Sequence, residues 1–225
     1  MKKLLLLIVM AVALTGCKKD PISCFTHTGG DLNDVNSEIE FTASCVFHTT
    51  LMEWDWGDGN SAVGYSRAHA WEAPGVYTVS LTASDQGNNP DVATETIVIG
   101  DRYLQYLDIR SLPADNNGTP WDPSDEPDVV IALRKSGSAS WEVETPENTN
   151  MTKSAPYLED LQSLDVIFMN ETWEYEVRDM DGGSYEVMAS GTFNPYTDGS
   201  NFVIPQTNSA AGIDMDVRYW LQDPQ

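Results

Sequence analysis

Hydrophobic and polar residues alternate with period two along most of this chain, and turn-forming clusters interrupt the alternation every eight to twelve residues or so. In "EIEFTASCVF" the residues Ile39, Phe41, Ala43 and Cys45 fall on one face. "LMEWDW" puts Met52, Trp54 and Trp56 on one face and Glu53 and Asp55 on the other. "GVYTVSLTAS" alternates likewise, and "VATETIVIG" closes a first set of strands. Gly100-Asp101 marks a boundary. Beyond it "YLQYLDIRSLP", "PDVVIALRKSG", "LDVIFMNETWEYEVRDMDGG", "GSYEVMASGTF" and "MDVRYWLQ" read as further strands, while "TPENTNMTKSAPYLEDLQ" reads as loop with room for one short helical turn. No segment has a helical period. The pattern predicts an all-β chain of two tandem sandwiches, over residues 21–100 and 101–225, the second with seven or eight strands.

The N-terminus carries a different signal. "MKK" is followed by "LLLLIVMAVA", an apolar run too short to span a bilayer and suited to the core of a signal peptide. It runs into Leu14-Thr15-Gly16-Cys17, which resembles the bacterial lipobox. That resemblance implies removal of residues 1–16, acylation of Cys17 and a membrane anchor, with 17–36 holding the tether and first strand. "CKKD" is similar to the start of many Bacteroidetes lipoproteins, which implies the outer membrane of a Gram-negative cell envelope. Cys24 and Cys45 then remain, and an exported, oxidising compartment favours a disulfide between them over two separate thiols.

Charge narrows the partners. The formal net charge is −23, and loss of Lys2 and Lys3 takes the mature chain to −25. Such a surface repels nucleic acid and anionic membrane, and favours solubility and divalent cations. With 41% hydrophobic residues and seven tryptophans the chain is globular rather than disordered.

Trp54-Asp55-Trp56-Gly57-Asp58-Gly59, followed by "AHAWEAPGVYTVSLTASD", resembles the polycystic kidney disease (PKD) domain, an immunoglobulin-like sandwich. Trp56 stands for the family's Phe, and His69-Ala70-Trp71 stands for its H-x-Y. Pro74, Gly75, Tyr77, Val79 and Leu81 match the rest of the pattern. The acids of this stretch suit a turn better than a site. From Asp55, the third and fifth positions of a calcium loop are Gly57 and Gly59 and the twelfth is Arg67, so an EF-hand is excluded. His69 reads as a packed or hydrogen-bonded strand residue.

Two later loops hold the better candidates. Asp122 and Asp128 precede the strand "VVIAL", and Asp179 and Asp181 follow "WEYEV". This spacing resembles the calcium-binding C-two sandwich, in which an aspartate pair six apart and a D-x-D meet around calcium. Met188-Ala189-Ser190 stands where that family has a small-residue turn, and Val187, beside Glu186, stands where it carries a fifth aspartate. The resemblance implies calcium at Asp122, Asp128, Asp179 and Asp181; read by themselves, the same four acids equally suit solvated turns.

No G-x-S-x-G, H-E-x-x-H or phosphate loop is present, and the three histidines, His27, His48 and His69, all lie in the first module. The expectation is a non-catalytic, membrane-anchored display protein for protein or surface recognition, stabilised by calcium. The alternative is a glycan-binding surface lipoprotein using Trp121, Trp141 and Trp173 as stacking platforms, which requires those rings to lie exposed and coplanar.

Overall fold

The computed structural model describes residues 20–113, 115–116, 118–122, 125–152, 157–208 and 212–225. The signal and anchor expectations for residues 1–19, Cys17 among them, lie outside the described residues. Sixteen strands and one short 3-10 turn, Gln162–Leu164, make up the regular structure of the described residues.

Seven strands form the first module: β1 (Phe25–His27), β2 (Ile39–Ala43), β3 (Leu51–Asp55), β4 (Ser61–Val63), β5 (Ser66–His69), β6 (Gly75–Ser84) and β7 (Pro90–Ile99). One sheet runs β1-β2-β5 and the other β4-β3-β6-β7, with every pairing antiparallel. The alternation decides what goes inside. Ile39, Phe41 and Ala43 are buried from β2, and Trp54, Val79, Leu81 and Ile97 meet them from the other sheet. Trp56 and Trp71 complete this core. Fully burying each such side chain stabilises by about 1.5–3 kcal/mol. Cys24 and Cys45 are disulfide-bonded, with Cα atoms 5.3 Å apart, and tie β1 to the chain leaving β2.

The second module contains β8 (Asp101–Ser111), β9 (Val129–Lys135), β10 (Val143–Glu144), β11 (Tyr157–Asp160), β12 (Ile167–Phe168), β13 (Trp173–Asp181), β14 (Ser184–Phe193), β15 (Val203–Asn208) and β16 (Ile213–Gln222). Its sheets run β10-β9-β13-β14 and β11-β8-β16-β15, with the two-residue β12 paired to β8 as a ninth strand beyond the expected eight. Leu104, Leu107, Ile131, Leu133, Trp173 and Val217 lie in the core between them. Two expectations change. The stretch read as loop contains β11, and Met188-Ala189-Ser190 is no turn but lies within β14. There the register jumps from Val177↔Ala189 to Arg178↔Val187, which leaves Met188 as the extra residue of a bulge.

Only Gly100 separates β7 from β8. A Cβ there would lie 2.7 Å from the Gln222 carbonyl oxygen and 3.0 Å from Leu32 Cδ1, so the junction closes on a glycine. Beside it Arg102, 1% exposed, crosses between the modules. Its Nε and Nη2 donate to Asp34 at 2.8 and 2.9 Å, and its Nη1 donates to the Pro195 carbonyl. Its guanidinium lies 4.4 Å from the Tyr219 ring centroid, and Tyr219 Oη donates to Asp34 at 2.7 Å. A buried ion pair is tolerated when its remaining hydrogen bonds are also made, as they are here.

This connectivity fixes three levels. β6 runs from Gly75, opposite Ile99 at the junction, to Ser84 at the far pole of the first module. Ile22 and Phe47, bonded to each other, lie at that far pole, where Thr50 donates to Ser84 and Ser23 to Asp91. β8 carries the chain from the junction to the opposite pole of the second module, its 11 residues spanning about 36 Å at the usual strand rise.

Candidate functional site

The pole of the second module that β8 reaches is built from two loops. One connects β8 to β9 and carries Asp122 and Asp128; the other is the turn from β13 to β14 and carries Asp181. That turn is as tight as a hairpin allows. Asp181 pairs with Ser184, and Gly182 and Gly183 between them have φ of +53° and +108°. Both values suit glycine in a two-residue turn. Asp179, on the last part of β13, points into the module and is fully buried.

The carboxylates of Asp122, Asp179 and Asp181 each place an oxygen within 4.8 Å of the other two. Asp128 stands beside them with its polar atoms engaged. Its N–H donates to Asp179 Oδ1 at 3.0 Å, its carbonyl accepts from the Met180 N–H at 2.8 Å, and its Oδ1 accepts from the Asn150 N–H at 2.8 Å. The four expected residues are thus assembled at one pole, three as a converging set and Asp128 as the bracket holding Asp179 and the 150 loop. Glu186 accepts from Asn116 Nδ2 at 3.3 Å, and Val187 is 44% exposed.

The electrostatics are unfavourable without a counter-charge. Two unit charges 4.8 Å apart repel by about 1 kcal/mol in bulk water and about 3.5 kcal/mol at an effective dielectric of 20. Burial pushes the Asp179 carboxyl up to about 6, and the charges of Asp122, Asp181 and Asp128 push the same way against the stabilising Asp128 N–H. Asp122 is also raised, by desolvation and then by Asp125, Asp181 and Asp128. Asp179 Oδ2 is buried and has no hydrogen-bond partner. A buried carboxylate oxygen without a donor is costly. A hard cation taking oxygen ligands is the group whose chemistry answers all of these features.

The acidic turn of the first module is differently made. Asp55 is exposed, and its Oδ1 accepts from the Gly57 N–H at 2.9 Å; Asp58 Oδ1 accepts from the Asn60 N–H at 2.9 Å. Gly57 has φ +78°, and a Cβ on it would lie 2.7 Å from the Thr78 carbonyl oxygen. His69 Nε2 meets Asp58 Oδ2 at 2.8 Å while its ring stacks on Trp56 at 4.9 Å, and Trp56 stacks on Trp54 at 5.5 Å. Burial opposes ionisation of Asp58, but hydrogen bonds from Asn60 and His69 outweigh it and hold the carboxyl below its ordinary value. These residues secure the hairpin. Gly59, at φ +91°, has open space around it.

The three candidate stacking tryptophans are not brought together as a platform. Trp173 is fully buried, and Trp121 is buried with its Nε1 donating to the Pro113 carbonyl at 3.0 Å. Trp141 is half-buried, with the guanidinium groups of Arg134 and Arg178 over its ring at 4.3 and 4.4 Å. Arg134 pairs with Glu174 and Arg178 with Glu144 and Glu176. Sequence reasoning missed this cluster and the Arg102–Asp34 pair. For Arg134 the available signal was an arginine at the end of the apolar run of β9; Arg102 and Arg178 lie among other charged residues and gave none.

Comparison with known proteins places the first module. Residues 26–99 match the family model described as PKD domain, so the first sandwich is a PKD domain; the match does not extend to the second. No curated protein matches the chain. A solved structure of carbohydrate-binding modules from the β-sandwich superfamily aligns over 91% of this chain and 92% of that one, at 10% identity and a TM-score of 0.34.

Proposed function

We propose that this chain is a non-catalytic recognition protein of the bacterial cell envelope, anchored through Cys17. In this reading the PKD sandwich is the spacer, and the second sandwich is the recognition module, whose far pole is closed by calcium. The anchor reading rests on the lipobox-like Leu14-Thr15-Gly16-Cys17. The observation that carries the calcium reading is Asp179: a fully buried carboxylate whose Oδ2 lacks a donor, with oxygens of Asp122 and Asp181 within 4.8 Å. Asp122, Asp179 and Asp181 would hold the ion, and Asp128 would position Asp179 through its N–H. Bound there, calcium supplies positive charge that joins the two loops; no reaction step is assigned to it.

Calorimetric titration of the mature chain with calcium tests this. Binding at roughly 10⁻⁴–10⁻³ M, the range of extracellular modules, is expected. An Asp179→Asn/Asp181→Asn variant should give no binding heat. Wild-type protein with no heat and no change in melting at calcium concentrations of about 10 mM, well above that range, would remove the calcium reading. Mass spectrometry of the membrane-extracted chain tests the anchor separately, through the mass at Cys17.

A further inference from the structure

The pole of the PKD domain farthest from the junction carries an apolar pair that the fold leaves uncovered. Ile22 and Phe47 exchange both backbone hydrogen bonds, each at 3.3 Å, as an isolated antiparallel bridge. Residues directly opposite in such a bridge put their side chains on the same face, with Cα atoms about 5.5 Å apart. The two side chains are therefore neighbours, yet Ile22 is 50% and Phe47 58% exposed. The Cys24–Cys45 disulfide holds the pair from two residues away on either side, so this face is fixed in orientation.

We infer that the Ile22–Phe47 face is a membrane-docking surface that rests on the lipid headgroups of the membrane holding Cys17. The inference depends on the anchor reading above. Covalent reach makes the argument. Cys17 is five residues before Ile22, and fully extended chain covers at most about 3.3–3.6 Å per residue, so Ile22 stays within about 18 Å of the acylated residue. The headgroup layer on one side of a bilayer occupies roughly 5–7 Å beyond the hydrocarbon. An apolar pair five residues along the chain from the anchor is within reach of that layer. Aromatic and aliphatic side chains gain by burial there, and one more apolar contact strengthens attachment by acyl chains. Lys18 and Lys19 lie within the same spacer, and their charge offsets locally the repulsion between an acidic protein and anionic lipid.

Hydroxyl-radical footprinting read by mass spectrometry tests this on the full acylated chain in vesicles of phosphatidylethanolamine and phosphatidylglycerol. The Cys17→Ala chain in solution is the reference, and Tyr185, 49% exposed near the opposite pole, is the internal control. Oxidation of Phe47 should fall about fivefold or more on the vesicle, because the interface shields an inserted ring from water, while Tyr185 stays unchanged. Acylated protein with unchanged Phe47 labelling would overturn this inference and leave the anchor standing. An unmodified Cys17 would overturn both. Protection of Phe47 that grows with concentration in the soluble chain, before any vesicle is added, would assign the face to self-association and likewise overturn it.

Discussion

Replacing Asp179 by Asn separates a strained metal-type site from an ordinary acidic turn, because the expected effect depends on pH and on calcium. Asn keeps the Oδ1 that accepts from the Asp128 N–H, and puts an amide N–H₂ where the unpartnered Oδ2 faces other carboxylates. In chelator, the folded state holds the Asp179 carboxyl near 6 against 3.8 for the free group. A raised carboxyl takes up protons more readily when folded, so stability falls as pH rises from about 4 through 6 and stays low above it. About two pH units at 1.36 kcal/mol each gives a ceiling near 3 kcal/mol. Relaxation of the loops and entry of water around the ionised group reduce this to about 1–2 kcal/mol. Asp179→Asn should therefore raise stability at pH 7.5 in chelator by about 1–2 kcal/mol, or roughly 2–8 °C in melting temperature. The gain should vanish at pH 4, where the wild-type carboxyl is protonated in the folded state. In about 10 mM calcium wild-type protein gains about 1.4 kcal/mol at a millimolar Kd and about 2.7 kcal/mol at a Kd near 10⁻⁴ M while the variant gains none, so the difference closes at the weak end of that range and reverses at the tight end. Scanning calorimetry at the two pH values, with and without calcium, reads all of this. A variant that is less stable than wild type in chelator at pH 7.5, or that shows the wild-type slope with pH, would refute the reasoning.

Other substitutions test the frame. Arg102→Ala should cost about 3–5 kcal/mol, because it leaves Asp34 without its cation, held by Tyr219 Oη alone, and the Pro195 carbonyl without its donor at the buried junction, and calorimetry should show one melting transition become two. Gly57→Ala meets the Thr78 carbonyl at 2.7 Å with φ +78°, so a loss of about 1–3 kcal/mol is expected in denaturant titration. Cys24→Ser/Cys45→Ser removes a crosslink between residues 21 apart and should lower stability by about 3 kcal/mol, with the variant insensitive to added reductant.

The legible parts of the sequence were those whose physics is local. Alternation in "LMEWDW" and "GVYTVSLTAS" shows which side chains go inside, and Trp54, Val79 and Leu81 are there. The positive φ of Gly57 and Gly59 in the W-D-W-G-D-G turn is local backbone geometry that the turn residues announce, though the approach of the Thr78 carbonyl to Gly57 is not. Strands at the rim were harder. β15 contains Pro205, which suits an edge strand but breaks the pattern used to find strands, and β11 is another edge with only four residues. Long-range pairings were beyond reach: nothing near Arg102 says that its partner is Asp34, 68 residues earlier. Trp141 read as a loop ring with free faces because the two guanidinium groups over it come from strands on either side of it in the chain. At the acidic pole the four aspartates could be named, but not the division of labour. That Asp128 brackets while Asp179 is buried with its Oδ2 unpartnered follows from register across β9 and β13.

The disulfide also has a mechanical meaning. Strand β1 is joined to β2 by only three paired positions, and a pull on residue 20 would open that ladder one rung at a time. The Cys24–Cys45 bond lies at the loaded end of the ladder. Tension entering there passes covalently to Cys45 and on toward β3, so β1 carries almost none of it. A load applied through the N-terminus is thereby borne by the longer β3-β6-β7 pairing in the body of the domain, and the weakest strand is spared from being the first to peel.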